Sequence, residues 1–60
     1  MYTDKQLLKL AGKLAIACQQ ILQSNPKTLS DNINKMEIAL LEYDNAIISN
    51  IREEISNNHN

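Results

Sequence analysis

One thiol, one imidazole and a row of lysines are the side chains here with the most chemistry to offer. Cys18 could serve as a nucleophile or a metal ligand, and His59 as a general base or second ligand. Their placement argues against both roles. They lie far apart in the chain, which gives no metal-ligand spacing. His59 falls in the polar run Ser56-Asn57-Asn58-His59-Asn60, which has no apolar anchor and reads as a solvated, fraying end. Cys18 falls inside an apolar stripe, where a cysteine packs as a small apolar residue. Glu53 and Glu54 are adjacent and face different sides of a helix, while Glu37, Asp44 and Arg52 read as solvated helix surface. Gly12 is the only glycine, so no glycine-rich phosphate loop exists. The sequence therefore predicts no catalytic residue, no metal, no cofactor and no small-molecule substrate.

The lysines remain. Lys5, Lys9 and Lys13 step by four, which puts them on one helix face, and Gln20 and Gln23 continue it. Such a row can follow phosphates, as basic helices do on nucleic acid. No arginine or aromatic residue joins it in sequence, and the formal net charge is −1. Ile16 sits in the middle of the same face. With Lys9, Lys13 and Gln20 it makes an apolar centre with a polar rim, the make-up of a protein-recognition patch. Ile38, on the outer face of the second helix, is a similar feature. A protein partner is thus expected over nucleic acid.

Two helices must carry these residues. Leu7, Ala11, Leu14, Cys18 and Ile21 form one apolar stripe, and Leu29, Ile33, Met36, Leu40, Tyr43 and Ile47 another, both stepping by fours and threes. Thr3 is the expected N-cap of the first helix, with Gln6 completing a capping box and Tyr2 poised to pack on Leu7. Asp4 suits the positive end of the helix dipole. Asn25-Pro26 ends that helix, since proline disfavours helix in the residue before it. Thr28, with Asp31 as acidic partner, is the expected cap of the second helix; Ser30 and Asn25 are the alternatives. The predicted elements are a helix over about 4–24, a turn over 25–28, a helix over 29–56 and a tail over 57–60.

Each helix has more apolar surface than one neighbour can cover. Leu8, Ala15 and Leu22 repeat every seven residues on one flank of the first helix, with Leu10 and Ala17 on the other. Leu41, Ile48 and Ile55 repeat every seven on the second helix, and Ile51 and Ile55 overhang the end of the first. Extra seams fit helices with two neighbours each. Sixty residues without Trp, Phe or Val, and with a single cysteine, leave little else for stability. The expected fold is an all-α, two-helix antiparallel hairpin, one domain over 1–60, dimerising into a four-helix bundle. Its interface would use Leu8, Ala15, Leu22, Leu41, Ile48, Ile51 and Ile55. The topology is similar to that of the Rop proteins, which pair hairpins in this way, but no motif is shared. Gly12 costs a helix interior about 1 kcal/mol relative to alanine; tight packing beside Ala11 and Ala15 is its expected reason, and a recognition surface where a partner approaches the backbone is the alternative.

Charge is split between the halves. Residues 1–28 carry Lys5, Lys9, Lys13 and Lys27 against Asp4, a sum of +3; residues 29–60 sum to −4. A basic helix beside an acidic one favours the hairpin, and equally a symmetric dimer. The stretch from Leu7 to Leu22 is too short and too polar to span a bilayer, and no signal-peptide pattern opens the chain. A cytoplasmic protein without membrane contact is the expectation. Asn and Ile each occur eight times, a usage that suits an AT-rich genome such as that of a low-GC bacterium, its phage or a plasmid. The expected function is that of a small, non-enzymatic helical regulator or inhibitor that binds a host protein. The alternatives are a Rop-like nucleic-acid-binding dimer using the lysine face, and a structural subunit of a larger helical assembly.

Overall fold

The computed structural model describes residues 1–57, which form helix α1 (Asp4–Leu22) and helix α2 (Leu29–Asn57) folded back on each other. His59 lies outside the described residues. Helix α1 starts as its sequence predicts. The Thr3 hydroxyl accepts from the Gln6 backbone N–H at 3.1 Å, and the Gln6 side chain accepts from the Thr3 N–H at 2.8 Å. Two N–H groups that the helix leaves free are thereby satisfied. Thr3→Ala should destabilise the hairpin by about 1 kcal/mol, seen as a lower midpoint in far-UV circular dichroism melts; an unchanged midpoint would mean the box contributes nothing.

Asn25, rather than Thr28, caps the second helical segment. Its Oδ1 accepts from the backbone N–H groups of Lys27 and Thr28 at 2.9 and 3.1 Å, and the Thr28 hydroxyl accepts from the Asn25 N–H at 3.2 Å. This is a reciprocal box one turn earlier than expected, with Pro26 at the first position, where its missing N–H loses no bond. The turn is closed by Asn32. Its Nδ2 donates to the Ser24 hydroxyl at 2.6 Å and to the Gln20 carbonyl at 3.3 Å, while the Ser24 hydroxyl also donates to that carbonyl. A carbonyl left free at the end of α1 is satisfied from α2.

A second clasp holds the open end. Asn50 accepts from the Tyr2 N–H at 2.8 Å and donates to the Tyr2 carbonyl at 2.9 Å. Because Tyr2 meets Asn50 and Gln20 meets Asn32, residues whose numbers add to about 52 lie level with each other. Asp4 is level with residue 48, so helix α2 runs on past α1 to Asn57, about 14 Å at 1.5 Å per residue.

The helix–helix contact is built on alanine. Ala46 is 0% and Ala17 6% exposed, and these are the only buried residues among those described. Leu7, Leu10, Leu14 and Ile21 of α1, and Ile33, Met36, Tyr43 and Ile47 of α2, are half-buried around them. The contact therefore runs through Leu10 and Ala17 rather than through Cys18, and through Ala39 and Ala46 rather than Leu29 and Leu40. Cys18, expected in the core, is exposed, as are Leu29 and Leu40. The physical reason is the close approach that alanine permits, since interhelical distance follows the side chains at the contact. Among the described residues no large side chain is fully buried. The Cα radius of gyration is 14.8 Å, against about 10 Å for a compact globule of this length.

Candidate interaction surfaces

Two surfaces of opposite character emerge from this rotational setting. Seen from one end, residue order runs clockwise on one helix and anticlockwise on its antiparallel neighbour. The flank just past the contact line on α1 and the corresponding flank on α2 consequently fall on the same side of the hairpin. On α1 that flank carries Leu8, Ala11, Ala15, Cys18 and Leu22, a second run stepping by threes and fours. On α2 it carries Leu29, Ile33, Leu40, Ile47 and Ile51, rimmed by Leu41, Ile48 and Ile55.

All seven residues assigned from sequence to a dimer interface are exposed: Leu8 at 75%, Leu22 at 87%, and Ala15, Leu41, Ile48, Ile51 and Ile55 likewise. The hairpin brings them to one side. It adds to them Leu29 and Leu40, which sequence reasoning placed inside the hairpin. The face is two helices wide where α1 and α2 overlap and continues on α2 alone past the end of α1; the Cα extents of the molecule are 54 × 18 × 11 Å. Four carboxylates interrupt it, Asp4 on α1 and Glu37, Asp44 and Glu54 on α2, all exposed.

The opposite side is polar. Gln6, Lys9, Lys13 and Gln20 of α1 flank the contact there, facing Asp31, Lys35, Glu42 and Glu53 of α2; all but the half-buried Glu53 are exposed. Lys9 and Lys13 line a shallow, open depression of about 270 Å³ with Tyr2, Gln6 and Leu10. Lys5 is exposed but lies further round the helix and does not line it. Tyr2, part of the capping segment, thus supplies an aromatic ring beside two lysines, which the helical spacing of the lysines alone did not reveal. Ile16 and Ile38, at 57% and 58% exposure, lie on the outer edges of their helices, away from the contact. They do not form one patch with each other, being on opposite edges of the hairpin.

Gly12 loses its expected explanation. A Cβ built there would meet nothing within 4 Å, so the hairpin does not require a glycine at that position. Among the described residues no three of His, Cys, Asp and Glu converge on a point that could hold a metal ion. No described helix is long and apolar enough to cross a membrane. Asn32 and Asn50, which clasp the two ends, are the residues the sequence reading missed. Their signal was their place on the contact line, at inward positions otherwise apolar or small.

No protein-family model, no curated protein and no solved structure matches this chain.

Proposed function

We propose that the chain is a small, non-enzymatic interaction protein whose hairpins complete one another as a four-helix bundle. In that form it acts as a regulator or inhibitor by occupying a surface on another protein. The observation that carries this reading is the apolar face. A soluble chain rarely leaves so long an apolar surface uncovered, and a hairpin in which two alanines are the only buried residues among those described gains little from folding alone. Covering that face leaves the polar side and the outer edges for a partner. The edge of α1 then offers Ile16 flanked by Lys9, Lys13 and Gln20, a composition suited to a protein contact with an apolar centre and polar rim.

A second reading, binding of nucleic acid, is favoured by one specific observation: Tyr2 lies beside Lys9 and Lys13 in the same open depression. An aromatic ring among cations can stack a base while the lysines hold phosphates. A single experiment separates the two. Tagged protein is used to capture partners from a bacterial lysate with and without nuclease, alongside an Ile16→Asp variant. The protein-binding reading expects one stoichiometric protein that survives nuclease and is lost with Ile16→Asp. A nuclease-sensitive haul that falls steeply with salt and with Lys9→Glu or Lys13→Glu would overturn it in favour of nucleic acid.

A further inference from the structure

We infer that the apolar face is covered by a second copy of the chain, set so that α1 of one copy lies on α2 of the other, with the two-fold axis parallel to the helices. This rests on the bundle proposed above and fixes which helix meets which. Two hairpins stacked through this face can be related by two kinds of two-fold axis lying in the plane between them. An axis across the helices puts α1 on α1 and α2 on α2. An axis along them puts α1 on the partner's α2, and keeps every residue at its own height.

Size decides first. The α1 half of the face has a thin middle, Ala11, Ala15 and Cys18, whereas the α2 half is bulky, with Ile33, Leu40 and Ile47. Cores fill without voids or overlap when large side chains face small ones. Like on like would set alanine against alanine and branched side chain against branched side chain. The crossed arrangement sets Leu40 of one copy over Ala11 and Ala15 of the other, because residues whose numbers add to about 52 are level.

Charge decides the same way. The half of the chain bearing α1 sums to +3 and the half bearing α2 to −4. Like on like sets each sum on itself, which is the less favourable choice. The crossed arrangement sets opposite sums on each other.

The width of the face also suits a second copy. The 19 residues of α1 span about 28 Å. The part of the face that is two helices wide is therefore on the order of 500 Å² in projection at a width of 18 Å, more once the relief of the side chains is counted, against roughly 800 Å² per partner in a stable interface. An object that is itself two helices wide and equally long covers it; a single helix would leave half of it bare.

Disulfide trapping tests the arrangement. In a Cys18→Ser background, Ala15→Cys and Glu37→Cys are made as separate chains, mixed and mildly oxidised. Both positions are exposed in the hairpin, so neither change disturbs its contact. The expected result is a covalent dimer of Ala15→Cys with Glu37→Cys, seen by mass spectrometry, with neither chain linking to itself. The unaltered chain should not link through Cys18, which lies on helices diagonal to each other. Self-linked Ala15→Cys, or Cys18 linked to Cys18, would overturn the crossed pairing while leaving a dimer. Sedimentation equilibrium showing a folded monomer at micromolar concentration would overturn the pairing and the bundle together.

Discussion

Replacing Ala46 with leucine should cost the hairpin about 1–3 kcal/mol, the usual penalty of forcing extra volume into a closed contact. Ala46 has no exposed surface. It belongs to the contact line of Asn32, Met36, Ala39, Tyr43, Ala46 and Asn50, which steps by fours and threes along α2. Three more carbons there have nowhere to go except between the helices. Moving α1 away would strain the Tyr2–Asn50 clasp close by and loosen Leu7 and Leu10 together. A domain this size holds only about 3–9 kcal/mol in total, so the loss should appear as a midpoint lower by about 5–20 °C in a thermal melt. Lys35→Leu, on the exposed polar side, is the control and should stay within about 0.5 kcal/mol of the parent. If Ala46→Leu melts like the parent, the helices do not cross at this alanine and the contact line drawn here is wrong.

The same alanines explain what the sequence could and could not reveal. Both helices, their bounds to within two residues, the Thr3–Gln6 box and the break at Asn25-Pro26 were legible, because each follows from local rules of spacing and capping. The rotation of the helices was not. Each helix has a broad apolar arc, and the densest stripe, through Ala11 and Cys18 or through Leu40 and Ile47, marks the centre of that arc. The hairpin contact lies nearer its edge, through Leu10 and Ala17 or Ala39 and Ala46. Periodicity finds the centre of apolar surface, whereas a contact forms where backbones approach most closely, and small side chains decide that. Cys18 was misplaced for this reason alone. The offset carries information of its own. A helix with one neighbour centres its arc on that neighbour; a helix in a four-helix bundle centres it on the bundle axis, between two neighbours. The candidate surfaces were legible as residues but not as a side of the molecule, since antiparallel geometry is what brings Leu8 and Leu22 beside Leu40 and Ile51.

That offset leads to the second large effect: the melting temperature should depend on chain concentration. If folding and pairing are one event, a tenfold rise in concentration stabilises the dimer by about 1.4 kcal/mol. Spread over the unfolding entropy of two chains of this length, that raises the midpoint by about 5 °C. Leu40→Asp should remove most of the dependence and lower the midpoint at every concentration. Leu40 is already 46% exposed in the hairpin, so a carboxylate there is tolerable to a lone chain, whereas between two copies it would be stripped of water without a partner. The comparison separates two origins of stability that a single melt confounds. Loss through the hairpin contact, as with Ala46→Leu, lowers the midpoint and keeps its slope against concentration. Loss through the uncovered face flattens the slope. A parent chain whose midpoint is the same across a hundredfold range of concentration would show that the hairpin stands without a second copy, and that its apolar face is held in reserve for something else.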